Sequence, residues 1–195
     1  QPIVQKTSTY LRDTKDLLNI LEETSFNPTS QTLLTLDVES LFTNIPQIDT
    51  LNVLEDTLFK ETWSFRTPRH FVLECARLAL TEKIFEFEGA LYLQTHGTSM
   101  GSTFAPSLAG LYVQAFEEKY NMNNTNPYQQ KVLLWKRYID DILIIWEGGP
   151  DSTIPFIQWL NNLDNNLRFT HTFNNPSLVF LDLVLIPCSG KIRTV

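Results

Sequence analysis

Two apolar, β-rich segments of the chain each end or break on aspartate. Residues 34–38 contain Asp37, and residues 138–145 contain the adjacent pair Asp140 and Asp141. A strand tolerates one ionised carboxylate at its end or in a turn, but two adjacent carboxylates repel each other and lose hydration unless a cation neutralises them. The two segments therefore predict a divalent-metal site formed by these aspartates.

The hydrophobic periodicity predicts an α+β fold with an antiparallel sheet. Helical spacing covers residues 10–23, 48–61, 67–80, 111–120 and 154–163, and strand patterns cover residues 31–38, 84–87, 90–93, 132–138, 142–146, 167–173 and 178–186. The strands on either side of the aspartate pair are so close in sequence that they predict a hairpin turn at the pair. A second hairpin turn is expected at Glu88-Gly89.

The aspartates also have a simpler interpretation, because aspartate after a strand is a common turn or helix-capping residue. For Asp37 alone that interpretation is favoured. It is weaker for Asp140-Asp141, since hairpin turns prefer Asp-Gly or Asn-Gly.

A loop rich in glycine and hydroxyl residues, residues 97–106, leads into the fourth predicted helix. In such a loop the backbone can approach a ligand closely, and amides at a helix start can face phosphate. The alternative is a tight turn with small-residue helix packing. Lys136 and Arg137 precede the acidic turn and suit either phosphate contact or an exposed position on an edge strand.

Composition limits the class of protein. The length of 195 residues fits one domain with a real core. The net charge of −7 is unusual for a nucleic-acid-binding protein, whose surface usually has a basic excess. Cys75 and Cys188 have no metal-binding spacing, which favours reduced, intracellular thiols. The apolar runs are too short to span a bilayer, and a start at Gln1 suggests a piece of a longer protein.

In this order, the three segments resemble the palm motifs of reverse transcriptases, and they are most similar to those of the Penelope-like retroelement family. The matching phrases are residues 37–46, 97–106 and 135–141, and residues 180–183 resemble that family's next phrase. The resemblance covers nearly the whole chain. It implies an RNA-directed DNA polymerase with a right-hand palm, an RRM- or ferredoxin-like antiparallel sheet with helices on one face.

The resemblance also implies the metal ligands. Asp37 and Asp140 would hold two Mg²⁺ or Mn²⁺ ions, with Asp141 beside them and the Val38 carbonyl as a further ligand. Two ions about 3.5 to 4 Å apart can activate a primer 3′-hydroxyl and stabilise the leaving pyrophosphate. The implied partners are an RNA template, a DNA primer and deoxynucleoside triphosphates.

Further roles follow from the same resemblance. Phe42 would lie against the incoming sugar and exclude a 2′-hydroxyl, although a core position is its alternative. Met100 and Gly101 would support the templating pair. The residues implied to contact nucleic acid are Gly97, Thr98, Ser99, Lys136, Arg137 and Tyr138. Arg168 is expected to be a solvated strand residue, and Asp182 to be structural or near the primer strand.

The remaining parts of such a polymerase are not recognisable in the sequence. Residues 1–195 are expected to be the palm with part of the fingers, whereas the upstream fingers, the thumb and an endonuclease domain would lie elsewhere, and the location is expected to be nuclear. One alternative is an inactive or domesticated fragment that binds nucleic acid or acts as a scaffold. Another is a two-metal nucleotide cyclase, against which the glycine loop and Phe42 favour a template-dependent polymerase.

Overall fold

A computed structural model of the chain describes residues 7–60, 65–99, 101–121, 126–173 and 176–195. The chain forms two compact units. The sheet unit comprises residues 1–39 and 118–195, and the hairpin unit comprises residues 40–117. Within the described ranges, no helix is long and apolar enough to cross a membrane.

The observed elements follow the predicted order closely. The helices are α1 (Thr14–Glu23), α2 (Leu41–Asn44), α3 (Gln47–Lys60), α4 (Arg69–Thr81), α5 (Ala105–Phe116) and α6 (Ile154–Asn161). The strands are β1 (Gln31–Val38), β2 (Ile84–Phe87), β3 (Ala90–Leu93), β4 (Val132–Tyr138), β5 (Asp141–Glu147), β6 (Phe169–Phe173), β7 (Leu178–Phe180), β8 (Leu183–Cys188) and β9 (Lys191–Thr194). A π-helical turn follows α5 at Glu117–Asn121.

An antiparallel sheet of four strands, in the order β4-β5-β1-β6, forms the centre of the sheet unit. Strands β4 and β5 are joined by a two-residue turn, Ile139-Asp140, because Tyr138 pairs with Asp141. In the β1–β5 ladder Asp37 lies opposite Asp141. On its other side Asp37 lies opposite Thr170 of β6. The predicted hairpin is present, but its turn is Ile139-Asp140, and Asp141 is the first residue of β5.

The two faces of this sheet are covered differently. One face packs Leu33 and Leu143 into a core with α1 and with the three-stranded sheet β7-β8-β9. On the opposite face Trp146 stacks on Phe156 of α6, with ring centroids 4.8 Å apart. The expectation of helices on one face is thus wrong for this unit, because the apolar stripe of α1 packs on the face opposite to α6.

The predicted strand 178–186 is divided. Phe180 pairs with Leu183, so β7 and β8 form a hairpin whose turn is Leu181-Asp182. Leu181 adopts a positive φ of 52°, which the sequence does not signal, because turns of this kind usually carry glycine or asparagine there. Strand β9, which was not predicted, pairs with β8 and completes this sheet.

In the hairpin unit, α3 packs against α4 and α5. Strands β2 and β3 form a two-stranded sheet among the described residues. Their turn is Glu88-Gly89, as predicted, and both residues have positive φ, 51° and 77°. Positive φ at both central residues is the pattern of a type I′ hairpin turn. The short helix α2 lies between β1 and α3 and belongs to this unit.

Candidate active site

Asp37 and Asp141 face each other across the β1–β5 ladder. At the neighbouring position the Val38 amide donates to the Asp140 carbonyl at 3.2 Å, and at the far end of the same ladder the Gly148 amide donates to the Ser30 carbonyl at 2.7 Å. Hydrogen-bonded and non-hydrogen-bonded pairs alternate in an antiparallel ladder. The Asp37–Asp141 pair is therefore non-hydrogen-bonded, the type in which Cα atoms lie about 4.5 Å apart and side chains are closest.

Asp140 occupies the turn beside this pair and is half-buried. The residue before it, Ile139, has a φ of 58°. A β-branched residue at positive φ is strained, at a cost of roughly 1 to 3 kcal/mol. The acidic turn is thus a strained backbone segment that presents one carboxylate next to two others.

The electrostatics of the site are dominated by negative charge. Burial raises the pKa of Asp37, and the charges of Asp140 and Glu39 raise it further. Burial also raises the pKa of Asp141, with further contributions from Asp140 and Asp37. Burial and neighbouring negative charge therefore make Asp37 and Asp141 harder to ionise, and a cation would offset this cost.

The donor atoms suit a hard divalent ion. Carboxylate and carbonyl oxygens are the ligands that Mg²⁺ prefers. The Val38 amide points toward β5, and the alternation of the ladder directs the Val38 carbonyl to that same side, toward the acidic turn. Among the described residues no three His, Cys, Asp or Glu side chains already form a metal-binding group. The donor atoms are of the type that such an ion binds, and the strand register brings them to the same end of the sheet. They do not already form a complete set of ligands around one point.

A cleft of about 260 Å³ opens beside the carboxylate pair. All of its lining belongs to the sheet unit, and it runs from β1 and β6 to the β7–β8 hairpin. Its polar and turn residues are Thr35, Asp37, Asp141, Thr170, His171, Thr172 and Leu181. A ligand in this cleft would lie directly against Asp37 and Asp141.

The three residues that precede the acidic turn have different environments. Lys136 is half-buried, and its Nζ donates to the Ser8 carbonyl at 2.7 Å. Tyr138 packs partly buried against the core on the α1 face. Arg137 is only 1% exposed. This burial does not fit a contact between the Arg137 side chain and nucleic acid phosphate.

The glycine loop packs against α2 within the hairpin unit. Gly97 has a φ of 65°, and a Cβ at this position would lie 2.5 Å from the Phe42 carbonyl oxygen. The Thr98 amide donates to that same carbonyl at 2.6 Å. Phe42 itself is half-buried. Gly97 and Thr98 therefore hold the helical turn that carries Phe42, and their burial does not fit direct contact with nucleic acid.

The rest of this loop is more open. Ser99 is half-buried and Gly101 is exposed. Met100 lies outside the described residues. Lys83, which the sequence did not indicate, donates from Nζ to the Thr98 hydroxyl at 2.8 Å. Burial lowers the pKa of Lys83.

Arg168 and Asp182 lie at element ends in the sheet unit. Arg168 precedes β6, is exposed, and donates to the Asn161 carbonyl at the end of α6. Its carbonyl accepts from the Glu39 amide at 2.9 Å. Asp182 lies in the turn between β7 and β8. Both positions are consistent with structural roles.

Solved structures with the same fold include two telomerases and a viral RNA polymerase complex. Apo telomerase from Candida tropicalis aligns with a TM-score of 0.71 and 10% identity, covering 96% of this chain and 41% of that one. Telomerase from Candida albicans, in complex with a fragment of telomeric RNA, gives 0.71 and 13% identity over 100% of this chain and 36% of that one. The RNA polymerase complex inside a dsRNA virus gives 0.65 and 13%, covering 95% and 18%. The chain thus has a polymerase-type fold and spans less than half of these chains.

The sequence itself gives the family. Residues 2–187 match the family described as reverse transcriptase (RNA-dependent DNA polymerase). The chain belongs to this family, and its mixed fold with antiparallel sheets agrees with it. No curated protein matches the sequence.

Proposed function

We propose that the chain is the palm, with part of the fingers, of an RNA-directed DNA polymerase encoded by a Penelope-like retroelement, and that it adds deoxynucleotides to a primer 3′-hydroxyl. The observation that carries this proposal is the non-hydrogen-bonded Asp37–Asp141 pair with Asp140 in the adjoining turn. Family membership and the polymerase-type fold support it. The phrases at residues 37–46 and 135–141 support the retroelement origin.

The carboxylates would act by binding divalent ions. Asp37, Asp140, Asp141 and the Val38 carbonyl would hold two Mg²⁺ or Mn²⁺ ions, which would supply charge neutralisation for phosphoryl transfer. Asp37 and Asp141 line the cleft beside β1, so ions held by them would lie next to a ligand in that cleft. The partners would be an RNA template, a DNA primer and deoxynucleoside triphosphates, acting in the nucleus together with fingers, thumb and an endonuclease domain from the rest of the protein.

Phe42 would select the sugar. The Gly97–Thr98 segment fixes the helical turn that carries Phe42, and the ring is half-buried, so part of it remains accessible. A rigid ring against the sugar would leave no room for a 2′-hydroxyl. Deoxynucleotides would therefore be the preferred substrates.

The first test is Mn²⁺ binding by calorimetry. Wild-type protein is compared with an Asp37→Asn/Asp140→Asn variant and with the charge-matched control Asp56→Asn/Asp151→Asn, whose residues lie on α3 and next to Pro150. We expect binding to be lost in the first variant and kept in the second. Equal binding in all three proteins would contradict the proposed site.

The second test separates a polymerase from a fragment that only binds nucleic acid. Primer extension on an RNA template is measured with the full-length parent protein, with deoxynucleotides or ribonucleotides. We expect deoxynucleotide incorporation that Asp37→Asn abolishes, and ribonucleotide incorporation only with Phe42→Ala. Template binding without extension would favour the scaffold alternative.

A further inference from the structure

Arg137 is among the largest fully buried side chains of the described residues, at 1% exposure. It lies on β4 opposite Ile142. Side chains alternate between the faces of a strand, and Ile142 is one residue from Asp141. The Arg137 side chain therefore leaves the backbone on the sheet face opposite to the one that carries the Asp37–Asp141 pair.

Arg137 is connected to two other segments of the sheet unit. Its amide donates to the Thr9 carbonyl at 2.7 Å, and its carbonyl accepts from the Leu11 amide at 2.8 Å. Its guanidinium Nη1 donates to the Ile139 carbonyl at 3.1 Å. The backbone of Arg137 is thus held by the segment before α1, while its side chain holds the acidic turn.

The hydrogen bond from the Arg137 guanidinium to the Ile139 carbonyl holds the peptide group between Ile139 and Asp140. The Ile139 carbonyl and the Asp140 amide belong to one planar unit. The carbonyl of the next unit, that of Asp140, accepts from the Val38 amide. Both peptide units around Asp140 are therefore fixed, one by Arg137 and one by β1, although the φ of Ile139 is strained.

We propose that Arg137 is a positioning residue for the acidic turn: its guanidinium holds the strained Ile139–Asp140 peptide so that the Asp140 carboxylate stays beside Asp37 and Asp141. This inference rests on the proposed function, because it assigns a role at the same metal site. A hydrogen bond from a charged group to a carbonyl is strong enough for this purpose. Because the guanidinium lies behind the sheet, it acts through the turn and not on a substrate.

The test compares amide hydrogen exchange at the two ends of the β1–β5 ladder. The Val38 amide reports on the acidic turn, and the Gly148 amide, bonded to Ser30, reports on the far end of the same ladder. In Arg137→Met we expect Val38 to exchange about 10- to 100-fold faster while Gly148 is unchanged. The control Arg193→Met, at an exposed position of β9, should change neither.

A second readout is Mn²⁺ affinity of the 195-residue chain. Arg137→Met should weaken it by roughly 10- to 100-fold, the effect of removing a group that orients a metal ligand. Glycine adopts positive φ without strain. In the Ile139→Gly background the turn is no longer strained and depends less on Arg137, so Arg137→Met should reduce the Mn²⁺ affinity by a smaller factor. A merely structural role would give the same loss of affinity in both backgrounds.

The outcomes separate this inference from the proposed function. If Asp37→Asn/Asp140→Asn leaves Mn²⁺ binding unchanged, the metal site fails, and exchange at Val38 still tests the role of Arg137. If Arg137→Met accelerates amide exchange equally at Val38 and Gly148, or leaves both exchange rates unchanged, the positioning role is overturned. If Arg137→Met does not fold, Arg137→Lys is compared in the same way.

Discussion

Asp37 and Asp141 form a non-hydrogen-bonded cross-strand pair with their carboxylates on one face of the sheet. Like charges at directly opposite positions destabilise a sheet, by roughly 0.2 to 1 kcal/mol. Burial raises the pKa of both residues, and the charge of Asp140 in the adjoining turn raises it further. The folded state without cations therefore carries an electrostatic cost at this point.

The first prediction concerns the dependence of stability on pH. A carboxyl group whose pKa is raised in the folded state binds protons more tightly there than in the unfolded chain. The contribution of Asp37 and Asp141 to the free energy of unfolding should therefore fall as pH rises from the ordinary pKa of 3.8 through their raised values. The midpoint of urea unfolding, measured without divalent ions between pH 3 and pH 8, checks this prediction.

Asp37→Asn isolates that contribution. Without divalent ions, the variant should be more stable than wild type at neutral pH, by about 0.2 to 1 kcal/mol, and the gain should disappear at low pH. Asp151→Asn, at an exposed position, serves as the control. A gain that is independent of pH would show that charge is not its cause.

The second prediction is that Gly97→Ala destabilises the hairpin unit. An L-residue at the φ of 65° is strained, and its Cβ would overlap the Phe42 carbonyl oxygen at 2.5 Å. We expect a loss of at least about 2 kcal/mol in urea unfolding. Gly101→Ala is the matched control, because a Cβ there would meet no atom within 4 Å among the described residues that are not its chain neighbours. Similar losses in both variants would contradict the packing argument.

The third prediction is that Glu88→Asn stabilises the β2–β3 hairpin. Glu88 has a φ of 51° and precedes Gly89 in a two-residue turn, where Asn-Gly is the preferred sequence. The gain should be roughly 0.5 to 1 kcal/mol. It can be read from slower exchange of the Gln94 amide, which donates to the Lys83 carbonyl at 2.7 Å. Glu86→Asn, within β2, should give no gain.

The fourth prediction concerns the buried indole of Trp146. Its Nε1 donates to the Ser152 hydroxyl at 2.8 Å, and Trp146 is fully buried. Ser152→Ala leaves this N–H without its acceptor and should cost about 1 to 3 kcal/mol. Urea unfolding followed by circular dichroism measures the loss. The neighbouring Asp151→Ala should have little effect on the free energy of unfolding. An equal loss of stability in both variants would show that the turn around these residues, and not the hydrogen bond of Trp146, is responsible.

The strands that carry the aspartates could be predicted from the sequence, because the pattern of residues 31–38 and the short connection between β4 and β5 give strand β1 and the β4–β5 hairpin. The pairing of β1 with β5 comes from the structure, since periodicity does not say which distant strands pair. The burial of Arg137 could not be predicted, because it depends on a segment far away in sequence. Lys136, next to it, contacts Ser8 across 128 positions. The strained φ values of Ile139 and Leu181 were also missed, since neither residue type signals a turn.

The hairpin unit is inserted into the sheet unit between β1 and β4. Gln31 at the start of β1 bonds to Glu147 at the end of β5, 116 positions later. During synthesis β1 therefore leaves the ribosome long before either of its neighbouring strands exists. Pairing β1 with β5 closes a long loop, so this contact is expected to form more slowly than the pairing of strands that are adjacent in sequence.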